Sequence, residues 1–289
     1  MINTETVNPH LLVPAMFQPA LAPRDAAAHK GMFGSIAIIG GESGMVGAAL
    51  LAARAALMAG SGRVYAAMLC HDAPSVDLSQ PEIMLRKPAV ISQITQLNCV
   101  VIGPGLGHTQ TSIELLEFWL TQDLALLLDA DALNLIATLP HLATLTKART
   151  AETVITPHPG EAARLLACSN AHIQQNRTAS ALKLARMLHV TCVLKGAGSV
   201  CAHHDGRWFI NSSGNPGLAS AGTGDVLSGV IGSLMAQGLS ALAATKLGVY
   251  VHGAAADSLV AQGIGPVGLT ASEVSKQVRL ELNQLNSRV

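Results

Sequence analysis

The sequence predicts an α/β fold in which helices cover both faces of a mostly parallel central sheet. Short apolar runs of strand length alternate with longer segments at helical spacing along most of the 289 residues. Hydrophobic residues make up 49% of the chain and aromatic residues only 3%, which suits alanine- and leucine-rich helices packed closely on a sheet. Because we find no internal repeat, low-complexity tract or linker, we expect a single domain over residues 1–289.

The predicted elements follow one another as strand, loop and helix. The first apolar run, 35–39, ends in two glycines, and an alanine-rich helix over 47–59 then stops at Gly60. Further strands are predicted from short apolar runs at 63–69, 83–85, 98–102, 124–128, 153–155 and 191–194. Apolar residues at helical spacing predict helices after the run at 98–102, from Ala132, at 162–167 and at 173–188. A hairpin of 200–203 with 208–210 turns at Asp205-Gly206, and three helices finish the chain.

Loops rich in glycine or carboxylates follow the ends of these strands. They read GGESGMVG (40–47), GPGLG (103–107), DAD (129–131), TPHPGE (156–161) and KGAG (195–198). In a parallel sheet the carboxyl ends of the strands share one edge, and ligands bind beyond that edge. We therefore expect the loops to converge on one site.

Composition excludes several classes of partner. Lysine plus arginine equal aspartate plus glutamate at 18 each, so the chain lacks the broad positive field needed for nucleic acid or an anionic membrane. The five cysteines are scattered and form no C-x-x-C pair, which indicates free thiols. The first 16 residues show no secretory signal, and charged residues interrupt the apolar segment 239–262. We expect a cytoplasmic protein that acts on small molecules.

The segment SAGTGDVLSGVIGSLMAQG (220–238) predicts a buried helix with an anion site at its start. Apolar residues recur every three or four positions, and Gly229 and Gly232 allow close packing. The first turn, Gly222-Thr223-Gly224-Asp225, offers backbone N–H groups without helical partners at the positive end of the helix dipole. The alternative is a simple turn that Asp225 caps.

Three other loops carry candidate ligand-binding side chains. Lys195 directly follows a buried strand, where its ammonium could reach a phosphate or simply be solvated. His158 lies between two prolines that stiffen its loop, and a purely structural role is equally open. Asp129, Asp131 and Asn134 offer oxygen ligands for Mg²⁺ or a hydroxyl group, or else cap the helix that begins at Ala132. The His203-His204 pair reads as hairpin surface without a function.

Two common nucleotide-binding motifs are absent from the sequence. The loops GPGLG and GGESGMVG do not fit G-x-G-x-x-G, so a conventional dinucleotide-binding dehydrogenase is disfavoured. No G-x-x-x-x-G-K-[ST] occurs, which excludes P-loop enzymes. A site built from the loops above must therefore follow another pattern.

Taken together, the motifs resemble a known family from Arg24 to the last helix. IIGG, GAALLAARAALMAGSG, GPGLG, LLLDADALN, TPHPGE, LKGAGS and NPGLASAGTGDVLSGVIG occur in the order found in the ADP-dependent NAD(P)H-hydrate dehydratases. The resemblance implies a ribokinase-like three-layer sandwich and the dehydration of (6S)-NADHX and (6S)-NADPHX, damaged cofactors in which water has added to the nicotinamide ring. ADP would be the co-substrate, and AMP and phosphate would be released. The chain is similar to a free-standing dehydratase without the epimerase domain that many relatives carry.

The resemblance also implies roles for particular residues. Asp225 would be the catalytic base that takes the proton of the substrate hydroxyl, and we expect it to be ionised at the helix N-terminus. The positions that match nucleotide binding are Lys195, Gly196, Ala197, Gly198, Ser199, Thr223 and Gly224. Those that match binding of the hydrated dinucleotide are Ala48, Gly105, His158 and Asp225. Glu161 is the candidate for organising Mg²⁺ through water.

The resemblance further implies a homotetramer and functional coupling to a separate NAD(P)HX epimerase. The nearest alternative is an ATP-dependent ribokinase-like kinase of a vitamin-precursor alcohol, which would use the same base and anion site. A third hypothesis is a non-catalytic sensor of adenine nucleotides. An intact Asp225 speaks against the sensor, and the TPHPGE and NPGLASAGTGD segments speak against the kinase.

Overall fold

The computed structural model describes residues 10–17 and 20–287. Its strands form one ten-stranded sheet in the order β1-β10-β9-β8-β7-β6-β5-β2-β3-β4. The strands are β1 (Leu11–Leu12), β2 (Ser35–Gly40), β3 (Arg63–Met68), β4 (Met84–Arg86), β5 (Cys99–Ile102), β6 (Ala125–Leu128), β7 (Thr153–Ile155), β8 (Thr191–Leu194), β9 (Val200–His203) and β10 (Trp208–Asn211). Strand β9 runs antiparallel to its neighbours β8 and β10, and the other pairings are parallel. The mostly parallel sheet is confirmed.

Helices cover both faces of this sheet. They are α1 (Val46–Met58), α2 (Pro88–Ile91), α3 (Gln110–Leu120), α4 (Asp131–Thr138), α5 (Pro140–Ala148), α6 (Pro159–Leu165), α7 (Asn170–Gln175), α8 (Arg177–Leu188), α9 (Thr223–Ala236), α10 (Ala241–Ala261) and α11 (Ala271–Ser287). Helices α1, α9, α10 and α11 share one apolar core with the sheet, and α3 to α8 share the other. Successive strand residues enter opposite cores, as Ile38 and Ile39 do, which makes the three-layer sandwich.

Most predicted elements lie within two residues of the observed ones, but two helix predictions are wrong in their bounds. The helix expected at 173–188 is broken at Asn176, whose side-chain amide donates to the His172 carbonyl and competes with the helical backbone. The helix expected at 162–167 begins earlier, at Pro159. Helices α2 and α5 were not predicted, although each starts with a proline at its first position.

Two expectations about segments outside the core have different outcomes. The expected absence of a secretory signal concerns residues 1–16, of which 1–9 lie outside the described residues. The segment 239–262 is the packed helix α10, as predicted. In the part of the chain that the structure describes, no helix is long and apolar enough to cross a membrane.

Helix α9 is buried on nearly every side and packs directly against α1. A Cβ atom built on Gly229 would overlap the Ala52 carbonyl oxygen of α1, so only glycine permits this approach. Gly229 thus allows close helix packing, as the sequence predicts. The close contact fixes the height of the first turn of α9 relative to α1.

We expect Gly229→Ala to lower the free energy of unfolding by about 3 kcal/mol or more, because the methyl group overpacks a backbone contact that cannot yield. Chemical denaturation measures the change. Gly47→Ala is the matched control, since a Cβ there meets no atom within 4 Å. Equal stability of the two variants would contradict the packing of α9 on α1.

Candidate active site

The predicted loops converge on one edge of the sheet, where a cavity of about 550 Å³ lies between the β8 end and the start of α9. All seven positions assigned to nucleotide binding line this cavity: Lys195, Gly196, Ala197, Gly198, Ser199, Thr223 and Gly224. The remaining wall comes from segment 211–219 and from α10. The cavity thus brings together two motifs separated by more than twenty residues.

Helix α9 begins with Gly222 in the left-handed conformation, at φ 86°. Its first α-helical hydrogen bond runs from the Val226 N–H to the Gly222 carbonyl, so the preceding N–H groups have no helical acceptor. The N-cap is Gly222, so no side-chain hydrogen bond closes this end of the helix, and Asp225 is the acidic residue of its first turn. The Thr223 hydroxyl donates to the Leu218 and Ser220 carbonyls and is therefore not directed at a ligand.

Lys195 stands at the centre of a charged network. Its Nζ lies 2.8 Å from Asp129 Oδ1 and 4.0 Å from Glu161 Oε2, and 3.5 Å from the position that a Cβ on Gly224 would take. Burial opposes the charge on Lys195, but the surrounding carboxylates raise the pKa of its ammonium overall. The Lys195 ammonium is therefore fixed at the cavity wall by these carboxylates and is not freely solvated.

Asp129 links this lysine to α9. Its side chain is 1% exposed, and its Oδ2 accepts a 2.6 Å hydrogen bond from Ser228 Oγ while Oδ1 faces Lys195. The expectation that Asp129 might cap α4 is wrong, because Ala130 is the N-cap and no side chain caps that end. Asp129 instead fixes the position of the lysine relative to the first turns of α9.

The Asp225 carboxyl is partly exposed and carries a perturbed pKa. Burial and the nearby charge of Asp129 raise the pKa of Asp225 to about 7, and Lys195 acts against this rise. Desolvation and carboxylate repulsion thus act against the charged form that the helix N-terminus favours, and the ionised Asp225 that we expect as the base stays a prediction. A carboxylate that titrates near neutral pH suits a general base better than an ordinary one.

His158 and Glu161 form a reciprocal cap at the start of α6. His158 Nδ1 accepts from the Gly160 and Glu161 N–H groups, and Glu161 Oε2 accepts a 2.7 Å bond from the His158 N–H. His158 thus has a structural role as the cap of α6, which is one of the two alternatives that the sequence left open. Its imidazole is half-exposed at the site, and burial together with Lys195 lowers its pKa.

The carboxylates do not form a metal cage. Among the described residues no group of three or more His, Cys, Asp or Glu side chains is placed to hold an ion. Asp131 Oδ2 instead accepts from the Gly107 N–H at 2.9 Å, and Asn134 Oδ1 accepts from Arg164. The expectation that Asp129, Asp131 and Asn134 coordinate Mg²⁺ directly is not supported by this arrangement.

Two of the positions assigned to the hydrated dinucleotide, Ala48 and Gly105, lie close together. A Cβ built on Gly105 would lie 3.4 Å from the Ala48 Cβ, so GPGLG and the first turn of α1 are in contact. Neither residue lines the 550 Å³ cavity, and Asp225 does not line it either. Asp131, which is bonded to GPGLG, acts electrostatically on Asp225, as does Lys195 of the cavity wall. The Asp225 carboxyl therefore interacts with one charged group of each region.

Several residues of the site had no sequence signal that we used. Ser228 looks like one more small residue in a buried helix, yet it bonds Asp129. Asp257 of α10 accepts from the Gly214 N–H and the Asn215 amide and so holds one cavity wall. His252 and segment 211–215 line the cavity. A search for polar residues on otherwise apolar helix faces could have found Ser228 and His252.

Arg177 braces the glycine loop after β8. Its Nη2 donates to the carbonyls of Leu194, Lys195 and Gly198, at 3.1 to 3.4 Å. We expect Arg177→Lys to weaken ADP binding about tenfold by isothermal titration, because the shorter lysine side chain lacks the planar guanidinium whose Nη2 reaches these carbonyls. Arg186→Lys on the same helix is the control, since Arg186 reaches Gly206 in the hairpin. Equal effects of both variants would remove Arg177 from the nucleotide loop.

The three layers and the sheet order are those of a ribokinase-like fold. A solved ribokinase-like protein from Enterococcus faecalis, 24% identical, superposes with a TM-score of 0.81 over 96% of each chain, and this likeness bears on the fold alone. The family model of the NAD(P)H-hydrate dehydratases matches residues 36–279. The chain belongs to the NAD(P)H-hydrate dehydratase family.

Individual relatives agree with this family. The ADP-dependent (S)-NAD(P)H-hydrate dehydratase of Neisseria meningitidis is 39% identical over 93% of this chain and 92% of its own length. The bifunctional NAD(P)H-hydrate repair enzyme of Escherichia coli is 40% identical over 91% of this chain, which spans half of that longer protein. The crystal structure of the ADP/ATP-dependent dehydratase of Bacillus subtilis with ATP and Mg²⁺, 28% identical, gives a TM-score of 0.85 over 97% of this chain and 100% of that one.

Proposed function

We propose that this protein dehydrates (6S)-NADHX and (6S)-NADPHX to NADH and NADPH at the expense of ADP. The observation that carries the proposal is the cavity at the start of α9. All seven positions that we assign to the nucleotide line it, and the Lys195 ammonium is held at its wall by Asp129. Lys195 also interacts electrostatically with Asp225, which fits a nucleotide phosphate held near the proposed base.

The residues of the chain supply proton transfer and charge stabilisation. The Asp225 carboxylate accepts the proton of the substrate hydroxyl, whose oxygen then attacks the β-phosphorus of ADP as the bond to AMP breaks. Backbone N–H groups at the start of α9 and the Lys195 ammonium stabilise the charge on the transferred group. The resulting phosphate ester then loses inorganic phosphate, a far better leaving group than hydroxide, and the neighbouring ring carbon gives up a proton to solvent, which restores the ring double bond.

The oxygen-rich surroundings fit a magnesium ion that is held mainly through water. Asp129, Glu161 and Asp225 place more negative than positive charge around Lys195, and Mg²⁺ commonly binds by few carboxylates together with substrate phosphates. Glu161 remains our candidate, and it would act through water because its Oε2 already accepts a hydrogen bond from the His158 N–H. When bound, the ion would neutralise phosphate charge.

The cellular setting is part of the same proposal. We place the reaction in the cytoplasm and expect a homotetramer that works alongside a separate NAD(P)HX epimerase. Support comes from the relatives in which a bifunctional repair enzyme includes a region matching this chain. No nucleic-acid or membrane partner is expected, given the zero net charge.

Recovery of the dihydronicotinamide absorbance tests the function directly. Purified protein is mixed with (6S)-NADHX or (6S)-NADPHX, Mg²⁺ and either ADP or ATP. We expect recovery with ADP and stoichiometric release of AMP and phosphate. No recovery with either nucleotide, combined with phosphorylation of a vitamin-precursor alcohol by ATP, would support the kinase alternative. The fold is shared with a hydroxyethylthiazole kinase at a TM-score of 0.60 and 17% identity, so fold alone cannot decide.

A further inference from the structure

One wall of the 550 Å³ cavity is a segment that we call the strap, residues 211–216, which begins at the last residue of β10. Near β10 the strap is bonded to the backbone of α10. The Asn211 amide donates to the Val249 carbonyl at 3.1 Å, and the Ser213 hydroxyl donates to the Tyr250 carbonyl at 2.8 Å. The strap therefore takes its position from this helix.

Gly253 and Asp257 continue the same face of α10 at an interval of four residues. A Cβ atom built on Gly253 would overlap Ser213, so the strap lies directly against the helix backbone there. Asp257 then bonds the strap twice: its Oδ2 accepts from the Gly214 N–H at 2.8 Å, and its Oδ1 accepts from the Asn215 side-chain amide at 2.9 Å. Both oxygens of this carboxylate are thus used to hold the strap.

Asp257 acts on the cavity only through the strap. Its side chain is exposed and does not line the cavity, whereas Gly214 and Asn215 do. Hydrogen bonds to a carboxylate are roughly twice as strong as neutral ones, so the two bonds are well suited to hold an exposed segment. Gly214 has φ 107°, a conformation that favours glycine, which shows that the strap turns where Asp257 holds it.

The cavity has one charged end, and the strap lies away from that charge. Among the described residues that line the cavity, Lys195 is the only lysine, arginine, aspartate or glutamate, and it lies beside Gly224 at the start of α9. Phosphate groups of a nucleotide belong at this end. The strap, together with Val249 and Gly253 of α10, presents no ionic side chain to the cavity, and such a wall suits the nucleoside.

We propose that Asp257 is a positioning residue that sets the affinity for the nucleotide by holding the strap against the nucleoside. The inference rests on the proposed function, because it presupposes ADP in the cavity. If the strap is ordered in only a fraction of the molecules, the apparent affinity for the nucleotide falls by that fraction. Asp257 contacts none of the residues assigned to proton transfer, so the chemical step should not depend on it.

Asp257→Asn tests this role, and Glu281→Gln is the matched control. Asparagine has a single side-chain oxygen, so it keeps at most one of the two bonds and turns its own N–H groups toward a donor. Glu281 of α11 also accepts two hydrogen bonds, from Ser258 and Gln277, but it does not bond the strap. By calorimetry we expect ADP to bind Asp257→Asn about tenfold more weakly than the wild type, and Glu281→Gln within about twofold. Asp257→Glu keeps the carboxylate and should recover most of the affinity.

Steady-state kinetics separates positioning from a general loss of structure. In Asp257→Asn the KM for ADP should rise about tenfold, while the KM for (6S)-NADHX and kcat at saturating ADP stay within about twofold of the wild type. A parallel rise of both KM values, or an unchanged affinity for ADP, overturns the inference and leaves the proposed function standing. A wild type that does not bind ADP overturns both.

If Asp257→Asn does not fold, hydrogen exchange in the wild type decides. A nucleotide that contacts the strap stabilises its ordered form, so the Gly214 N–H should exchange about fivefold more slowly when ADP is bound. Unchanged exchange of this N–H with ADP bound would overturn the inference.

Discussion

Asp225→Asn lowers kcat by about 1,000-fold or more in the dehydration assay, while ADP still binds. The amide retains the size of the side chain but cannot take the proton from the substrate hydroxyl. Because binding and chemistry are separated in this variant, single-turnover kinetics with saturating ADP measures the loss of proton transfer itself. Intact turnover in Asp225→Asn would show that another group is the base, or that the protein only senses nucleotides.

The raised pKa of Asp225 adds a pH signature to the same variant. Since the carboxylate is the active form, kcat/KM of the wild type should fall about tenfold per unit as the pH drops below about 7. A pKa raised by folding contributes stability below its ordinary value of 3.8, and that stability is lost as the pH rises through about 7. At pH 8 the free energy of unfolding of Asp225→Asn should therefore exceed that of the wild type by roughly 2 kcal/mol, after allowance for partial exposure. At pH 4 the two values should be equal.

Asp131→Asn is the matched control for Asp225. Asp131 is a second acidic residue at the same edge of the sheet. Its carboxylate accepts a hydrogen bond from the Gly107 N–H, and an asparagine oxygen can accept the same bond. We expect less than about a tenfold change in kcat, because one electrostatic neighbour of Asp225 is removed without loss of a reacting group. If kcat falls to a similar extent in both variants, the negative charge at this edge of the sheet matters and proton transfer at Asp225 does not.

Lys195→Met should damage both nucleotide binding and stability. Loss of one charge-assisted hydrogen bond to a phosphate weakens ADP binding by about 1–3 kcal/mol. The substitution also leaves Asp129, which is 1% exposed, without its cation, and we expect the free energy of unfolding at pH 8 to drop by about 3 kcal/mol.

A second substitution separates the two effects of Lys195. Adding Asp129→Asn to Lys195→Met removes the unpaired buried charge and leaves an oxygen for Ser228, so stability should recover. ADP affinity should stay low, since the amide restores no cation. An ADP titration that is unchanged in Lys195→Met would exclude the lysine from the nucleotide site, and affinity regained in the double variant would assign its role to folding alone.

Much of the fold could be predicted because its signals are local. The strand at Thr153–Ile155 and the hairpin around Asp205-Gly206 are bounded by turn residues and keep their predicted positions. The break at Asn176 could not be predicted, since it depends on one amide reaching back to the His172 carbonyl inside an otherwise helical pattern. Strand β1 has two residues and is defined by its partner β10, which no local pattern can supply.

The sequence predicts the site residues that lie on loops, but it does not predict those that lie on the sides of helices. The lysine and glycines after β8 and the GTGD turn stand out because glycine and charge follow strand ends. Ser228, Asp257 and His252 reach the site from the sides of α9 and α10, where sequence spacing gives no direction toward a distant loop. The raised pKa of Asp225 could not be predicted for a related reason, because the carboxylates that act on it come from other elements.

The fate of one oxygen atom tests the proposed chemistry most directly. NADHX labelled with ¹⁸O in its added hydroxyl group is converted with ADP and Mg²⁺, and the released phosphate and water are examined by ³¹P NMR and mass spectrometry. Attack of the Asp225-activated hydroxyl on ADP, followed by loss of the ester, places the label in inorganic phosphate. Label found in water, with unlabelled phosphate, would contradict phosphoryl transfer to the substrate and with it the role assigned to the start of α9.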